Sequence, residues 1–185
     1  MKTARIYTND LNRVVAATKT FVSSSTIRKA QRYIKLEFDS IHQTVTAMAV
    51  DGYRMSVENC VISDCDESFV AYIGASTKLP SKKYATISVV DGEAIIKCDG
   101  ASFGWEQPEG DTFVWKDALP LGEPTFKIGF NGNYLLTALQ AAKTSAGDSF
   151  KNPIVLEFRT PTSPVIIRTN KDDIKMVLPV RIREE

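Results

Sequence analysis

The side chains best suited to chemistry in this sequence are a single histidine and a short acidic run. A Ser-His-Asp or Cys-His site would need His42 beside a nucleophile, but His42 lies in DSIHQTV, which is typical of a hairpin turn. Asp64, Asp66 and Glu67 in SDCDE carry the carboxylate oxygens that Mg²⁺ or Ca²⁺ prefers. The run lacks the glycine and the downstream glutamate of a calcium loop. We therefore interpret it as a solvated turn and keep a metal-dependent enzyme as a distant alternative.

The other reactive groups also argue against catalysis. Cys60, Cys65 and Cys98 make an odd number, and their spacing does not resemble a zinc site, so we predict buried free thiols. No G-x-x-x-x-G-K-[ST] phosphate loop is present, and GFNGNY has glycines without the lysine that would follow them. The sequence therefore predicts a non-catalytic protein with no metal and no cofactor.

Composition and charge limit the classes of partner. The 185 residues, 43% of them hydrophobic, suffice for one large or two small domains with a packed core. Lys and Arg number 23 against 22 Asp and Glu, so a formal charge of +1 provides no strong overall field for nucleic acid or membrane. Since there is no basic-then-apolar start and no apolar run near about 18 residues, we predict no signal peptide, no membrane span and a cytoplasmic protein.

The elements that position these groups begin with a strand, a helix and three strands. ARIYTND precedes a helical pattern in which Asn9 or Asp10 can cap, and Leu11, Val14 and Val15 fall on one face. YIKLEF, TVTAMAV and RMSVENCVI then follow as strands. A second unit begins at SFVAYIG and continues as a strand meander, but its helix is predicted to be reduced or missing because Pro80 interrupts it.

A third unit repeats the pattern of the first. After TFKIGFN, Asn131 or Asn133 can cap a helix that Gly147 stops, and IVLEF, PVIIRT and IKMVL supply three strands. The two helices also match in sequence, with Leu11, Val15, Lys19 and Thr20 corresponding to Leu135, Leu139, Lys143 and Thr144. We therefore predict an α+β fold with two half-units in residues 1–118 and a further half-unit in residues 119–185.

The apolar segment MVLPVRI, residues 176–182, is interrupted by a proline. Pro179 cannot donate a ladder hydrogen bond and is expected at a sheet edge or just beyond a strand. The segment is either the last core strand or a partly exposed surface for a partner, and the pattern alone leaves both open.

Five stretches, in the same order, resemble the bacterial sliding clamp, the beta subunit of DNA polymerase III. They are AMAVDGYRMSV, EGDTFVWKDALP, KIGFNGNYLLTALQAAK, LEFRTPTSPVIIR and KMVLPVRI. The family's chains carry three domains of two units each, whereas three units are recognisable here. The sequence thus resembles a shortened member of that family.

The resemblance implies clamp-like repeats with antiparallel sheets outside and short helices on the inner face of a ring around double-stranded DNA. Such a clamp holds DNA topologically, so weak contacts suffice, and a nearly neutral chain is consistent with sliding. The residues that the resemblance places toward DNA are Arg13, Lys19, Arg28, Lys29, Arg32, Gln140 and Lys143. Ordinary solvated helix faces are the alternative for these residues.

The resemblance also implies an apolar groove that captures short linear peptides of DNA polymerase and of repair proteins. The matching positions are Gly52, Tyr53, Arg54, Met55, Pro120, Thr162, Pro164, Met176, Val177, Leu178, Pro179 and Val180. Methionines in such a groove would let it accept varied peptides. Lys175 stands where the family commonly has an aromatic residue, which would place a charge at the edge of the groove.

Two hypotheses of function follow from the resemblance. The first is a non-catalytic DNA polymerase processivity factor that works as a homo-oligomer, because the unpaired half-unit needs cover. Four chains would supply the twelve units of the family's ring. The second is a clamp-derived peptide-binding module that forms no ring and binds no DNA. The basic cluster from Arg28 to Arg32 favours the first hypothesis, and the reduced second helix favours the other.

Overall fold

The computed structural model describes residues 2–25, 27–109, 113–147 and 153–182, and the chain divides into two units. Unit 1 is Met1–Leu119 and unit 2 is Pro120–Glu185. Among the described residues, no helix has the length and apolar character needed to cross a membrane.

Unit 1 has one α-helix and a series of antiparallel strands within its described residues. Its elements are β1 (Lys2–Tyr7), α1 (Thr8–Thr18), β2 (Tyr33–Asp39), β3 (Thr44–Val50), β4 (Met55–Val61), β5 (Asp64–Cys65), β6 (Phe69–Gly74), β7 (Tyr84–Val90), β8 (Glu93–Cys98) and β9 (Ala101–Glu106). Single turns of 3-10 helix lie at Lys19–Phe21, Lys29–Arg32 and Trp115–Ala118. Residues 75–83, between β6 and β7, contain no helix.

The two sheets of unit 1 exchange their first strands. One sheet has the order β5-β1-β7-β8-β9 and the other has the order β4-β3-β2-β6. β1 therefore joins the sheet that β7, β8 and β9 build, while β6 joins the sheet that β2, β3 and β4 build. Because each half of unit 1 supplies a strand to the other half, neither sheet is complete without both.

One hydrophobic core serves both halves of unit 1. Apolar residues occupy alternate positions of the strands, so one side of each sheet is buried. Its largest fully buried side chains include Ile6, Leu11, Ile34, Leu36, Ile73, Ile87 and Ile96. The β7–β8 hairpin turns through Asp91 and Gly92, which both have positive φ (50° and 79°), as a two-residue turn of this kind requires.

The start of α1 differs from the sequence prediction, and the proposed caps Asn9 and Asp10 are wrong. The helix begins at Thr8, and its N-cap residue Tyr7 makes no side-chain cap hydrogen bond. Thr8 is tied instead to Lys83, because the amide of Thr8 donates to the Lys83 carbonyl (3.0 Å) and its hydroxyl accepts from the Lys83 amide (3.1 Å). This tertiary contact fixes the helix start without a local cap.

Unit 2 contains a strand, a helix and further short strands. They are β10 (Gly129–Phe130), α2 (Gly132–Ala146), β11 (Val155–Glu157), β12 (Val165–Arg168), β13 (Lys175–Val177) and β14 (Pro179–Val180). Asn131 is the N-cap of α2, since its side-chain oxygen accepts from the amides of Asn133 (3.0 Å) and Tyr134 (3.3 Å). The helix ends at Ala146, and Gly147 follows with a positive φ of 70°.

The sheets and core of unit 2 are smaller than those of unit 1. β11, β12 and β13 form a three-stranded antiparallel sheet, and β10 pairs with β14. Its buried residues are Ala142 of α2 with Val165, Ile167 and Val177 of the sheet. The apolar stripe of α2 lies over them, but Leu135, Ala138 and Leu139 are only partly buried.

Candidate functional site

A groove of about 1200 Å³ lies in unit 2, and we call it the terminal groove. Its apolar wall residues are Pro124, Phe126, Pro161, Pro179, Val180 and Ile182. Thr162, Glu123, Lys127 and Arg181 add polar groups to the same surface. A concave surface that combines apolar walls with charged and polar groups is suited to a short peptide with apolar anchors.

The β10–β14 pair forms one side of the terminal groove. Gly129 is opposite Val180 and Phe130 is opposite Pro179. A side chain on Gly129 would come within 3.1 Å of the Val180 carbonyl oxygen and 3.0 Å of Ile182 Cγ1, so glycine permits the close approach. Pro179 begins the two-residue strand β14, as expected for a residue without an amide hydrogen.

The predicted groove residues of unit 2 lie in several different places. Thr162, Pro179 and Val180 line the terminal groove. Met176 and Leu178 are exposed, and Pro164 is half-buried at the start of β12. Val177 is a correction to the predicted set, because its side chain is only 5% exposed and packs in the core of unit 2. Strand alternation turns Val177 inward between the two exposed neighbours.

Pro120 and Lys175 are the remaining predicted positions of unit 2. Pro120 is exposed at the first position of the unit. The Lys175 ammonium forms an ion pair with Asp173 and donates to Ser145 Oγ at 2.9 Å. The hydrogen bond from Lys175 holds the pKa of Asp173 below its usual value. The charge predicted at the groove edge is thus already paired.

The predicted groove residues of unit 1 form the turn between β3 and β4. Asp51 organises this turn, because its carboxylate accepts from the amides of Tyr53 and Arg54 (both 3.1 Å) and from Arg54 Nε (2.7 Å). The Arg54 side chain is the main reason that the pKa of Asp51 is lowered. Gly52 has a φ of 92°, Met55 is half-buried and Tyr53 is 99% exposed. The turn therefore presents a free aromatic ring to solvent.

The residues predicted to face DNA on α1 have unequal freedom. Arg13 is exposed, but its guanidinium forms an ion pair with Glu58 (2.9 Å) and donates to the Asn59 carbonyl (2.9 Å). Lys19 is exposed in the 3-10 turn after the helix. Among the described residues Lys19 makes no ion pair, so it is better placed than Arg13 to bind a phosphate.

The other predicted DNA-facing residues form two exposed groups, one in each unit. Arg28, Lys29 and Arg32 lie in or beside the 3-10 turn before β2, and none of them makes an ion pair with another described residue. Gln140 and Lys143 lie one turn apart on α2 and border a shallow depression of about 410 Å³. Both groups have the free polar atoms that a phosphate contact requires.

The potentially reactive side chains have structural partners. Asp66 accepts a hydrogen bond from the Thr3 hydroxyl (2.6 Å), and Glu67 forms an ion pair with Lys2 (2.9 Å). His42 Nδ1 lies 2.7 Å from Asp39 Oδ2 in an exposed turn. Within the described ranges no group of three or more His, Cys, Asp or Glu side chains is arranged to hold a metal ion.

The three cysteines are free, as predicted. Cys65 and Cys98 are buried, and Cys60 is half-buried. Burial raises the pKa of the Cys60 thiol to about 11, which disfavours the nucleophilic thiolate. The Cys60 thiol is therefore poorly suited to act as a nucleophile.

Sequence analysis missed several residues of the terminal groove. Pro124 and Phe126 lie outside the stretches that carry the resemblance, and Ile182 belongs to MVLPVRI but is not among the predicted groove positions. The signal that could have found them is the clustering of exposed apolar residues on both sides of the short strand β10.

Comparisons with known proteins identify the fold. No protein-family model matches the sequence, and no curated protein matches it. The structure is similar to the DNA polymerase sliding clamp from Bacillus subtilis (TM-score 0.83, 16% identity, 99% of this chain and 50% of that chain). It is also similar to the DNA polymerase III beta chain from Streptococcus pneumoniae (TM-score 0.83, 15% identity, 100% and 51%).

A further similar structure has a peptide bound. The beta clamp of Helicobacter pylori, bound to a DNA ligase peptide, matches with a TM-score of 0.73 and 12% identity over 97% of this chain and 50% of that chain. The chain therefore has the sliding-clamp fold that the resemblance predicted, and it spans about half the length of the clamp chains it matches.

Proposed function

We propose that this protein is a non-catalytic, sliding-clamp-like processivity factor of the cytoplasm. In this proposal a homo-oligomer encircles double-stranded DNA and tethers DNA polymerase and other partners through an apolar peptide-binding groove. The observation that carries the proposal is the likeness of fold over the whole described chain to DNA polymerase clamps, including one with a bound peptide.

The terminal groove supports the peptide-binding part of the proposal. It combines Pro161, Val180 and Ile182 with a polar border, which suits leucine or aromatic anchors of a partner peptide. The exposed groups at Arg28 to Arg32 and at Gln140 and Lys143 support weak phosphate contacts. Since the net charge is only +1, the proposed ring would hold DNA by topology rather than by strong phosphate binding.

Peptide binding is tested with the substitution Val180→Lys. Val180 is 49% exposed, so a charge at this position is compatible with the fold. We expect Val180→Lys to weaken binding of a fluorescent peptide with leucine and phenylalanine anchors at least about tenfold, measured by anisotropy. Val61→Lys, on an exposed strand position of unit 1, is the matched control. Equal binding by both variants would contradict a peptide site in the terminal groove.

DNA encirclement needs a separate test because peptide binding does not require it. The protein is incubated with a clamp loader and a nicked circular DNA, and retention is compared before and after the DNA is linearised. Retention that is lost on linearisation supports topological binding. Retention that is equal on both forms would show direct contact and contradict a sliding ring.

The second candidate is a peptide-binding module without a ring. It is favoured by the pairing of Arg13 with Glu58, which occupies one of the cations predicted to face DNA. It is also favoured by the absence of a helix in residues 75–83, since the inner face of that half then lacks its helical layer. Peptide binding that persists with no topological retention on DNA would select this candidate.

A further inference from the structure

Unit 2 repeats the first half of unit 1. β10, α2, β11 and β12 correspond to β1, α1, β2 and β3, and the sequence IKLEF at residues 34–38 matches IVLEF at residues 154–158. One edge of β10 pairs with β14, as one edge of β1 pairs with β5. Unit 2 is therefore a half-domain of the kind from which unit 1 is built.

Two strand edges that are covered in unit 1 are bare in unit 2. In unit 1 the outer edge of β2 pairs with β6, and the second edge of β1 pairs with β7. In the described part of unit 2, β11 pairs with β12 alone and β10 pairs with β14 alone. Each of these strands thus presents a row of backbone N–H and C=O groups that can accept another strand.

The side chains beside the bare edge lack the cover that their counterparts have. Leu36 is 0% exposed and Phe38 is 3% exposed, whereas the matching Leu156 and Phe158 are 38% and 45% exposed. In unit 1 Phe38 stacks on Phe69 of β6, with 4.5 Å between the ring centroids. Phe158 makes a tilted contact with Phe126 at 6.5 Å, and both rings stay half exposed.

The helices show the same difference. In α1, Leu11 is fully buried, while the matching Leu135 of α2 is only half-buried. Asn12 of α1 bonds to the main chain of Leu79 in the other half of unit 1, donating to its carbonyl (2.9 Å) and accepting from its amide (3.0 Å). The counterpart of Asn12 is Leu136, which is exposed. Leu136 therefore adds to the exposed apolar surface of unit 2.

We infer that unit 2 pairs with unit 2 of a second copy about a two-fold axis, so that β10 of each copy extends the bare edge of β11 in the other. The half-domain is self-complementary for this pairing, because it carries both the strand to be added and the edge that accepts it. The exchange of β1 and β6 within unit 1 is the internal precedent. The proposal deepens the homo-oligomer of the proposed function but requires neither DNA nor peptide.

Unit 1 also predicts the register of the pairing. There Ile34, Leu36 and Phe38 lie opposite Ile73, Ala71 and Phe69. Transferred to unit 2, the same spacing lengthens the pairing beyond Gly129–Phe130 and Val155–Glu157. It puts Phe126, Ile128 and Phe130 opposite Phe158, Leu156 and Ile154 of the partner, so that apolar residues meet across the interface. On the other face of the strands, Lys127 is placed opposite Glu157 of the partner, where it would join the ion pairs that Glu157 makes with Arg168 (2.9 Å) and Arg159 (3.1 Å) of its own unit.

Disulfide crosslinking tests the register directly. Lys127→Cys and Glu157→Cys are made in separate full-length chains, which are mixed, allowed to exchange and mildly oxidised. Directly opposite residues of antiparallel strands have Cα atoms about 4.5–5.5 Å apart, within the range of a disulfide. We expect a dimer that joins one chain of each variant and that dithiothreitol separates.

The controls keep this result specific. Lys127→Cys mixed with Val155→Cys is two residues out of register and is expected to crosslink several-fold less. The wild-type chain, whose cysteines are buried or half-buried, controls for adventitious crosslinks. No crosslink in the matched mixture, equal crosslinking in both mixtures, or efficient crosslinking of Lys127→Cys with itself would each overturn the proposed pairing.

A second pair of variants separates this proposal from the proposed function. Leu156→Lys places a charge on the predicted interface, and we expect it to halve the mass of a dimer in light scattering while peptide binding is kept. Val180→Lys is expected to weaken peptide binding while the mass is kept. Loss of mass in Val180→Lys, or an unchanged mass in Leu156→Lys, would contradict the surface assigned here, whatever the result of the peptide assay.

Discussion

Unit 1 and unit 2 contain the same half-domain in two different surroundings. IKLEF in β2 is covered by β6 and lies in a continuous core, whereas IVLEF around β11 has a bare strand edge beside half-exposed side chains. The apolar character of the two stretches is alike, so the difference arises from the neighbouring strand. Burial in this fold is thus a property of the paired half-domains rather than of one half-domain alone.

The comparison also separates the regions that stabilise the chain from those available to partners. The core of unit 1 includes residues from both of its sheets and from α1, while the core of unit 2 has four buried side chains within its described residues. Since stability follows the apolar area removed from water, most of it resides in unit 1. Unit 2 retains exposed apolar surface. Part of this surface lines the terminal groove, and part of it is available for pairing with another copy.

The largest expected effect is a difference between Phe38→Ala and Phe158→Ala. Phe38 is buried and stacked on Phe69, so its truncation is expected to cost about 3–5 kcal/mol of the free energy of unfolding of unit 1. Phe158 lies in unit 2 and is half exposed, so Phe158→Ala is expected to leave the free energy of unfolding of unit 1 unchanged. Urea unfolding followed by tryptophan fluorescence measures it, because Trp105 and Trp115 both lie in unit 1. Equal losses of unfolding free energy in the two variants would contradict the difference in burial between Phe38 and Phe158.

A smaller effect is expected at the start of the two helices. α2 has a side-chain cap at Asn131, whereas α1 has none. Asn131→Ala is therefore expected to destabilise α2 by about 1 kcal/mol, which makes amide hydrogen exchange in that helix about fivefold faster. Asn133→Ala, within the first turn of α2, is the matched control. Exchange that is unchanged in Asn131→Ala would show that packing, not the cap, fixes the helix start.

The smallest effect is a pH response of Asp39 in unit 1. The hydrogen bond from His42 is the main cause that lowers the pKa of Asp39 from 3.8 to about 2. Because the folded pKa is the lower one, the interaction stabilises the chain above pH 4 or so, and this contribution is lost as the pH falls through about 2. The matching residue of unit 2 is Arg159, which has no carboxyl group. Carboxyl NMR across this pH range should show the lowered pKa of Asp39, and a midpoint near 4 would contradict it.

Most of the fold follows from residue patterns that act locally. Alternation of apolar residues predicted the strands, and the Asn131 and Gly147 signals predicted the bounds of α2. The start of α1 could not be predicted in this way, because Thr8 is fixed by Lys83, far away in the sequence. Capping rules consider only residues that are neighbours in the sequence, so they cannot predict a helix start that a distant residue fixes.

The candidate site was less predictable than the fold. Thr162, Pro179 and Val180 do lie together in the terminal groove, but Val177 faces the core and Phe126 was not foreseen. The resemblance assigned consecutive residues to one surface. In a strand every second side chain points to the opposite side, so consecutive residues cannot all face the groove. The ion pairs of Arg13 with Glu58 and of Lys175 with Asp173 could not be predicted either, because sequence patterns do not give side-chain contacts of this kind.

The most direct test of the central claim is the mass of the wild-type protein by light scattering over a concentration series. If a second copy completes unit 2, the mass is an even multiple of the 20.5 kDa chain and falls to that of the single chain only at low concentration. A mass of one chain at every concentration would contradict the account, because the half-domain would then be stable without the strand that covers its counterpart in unit 1.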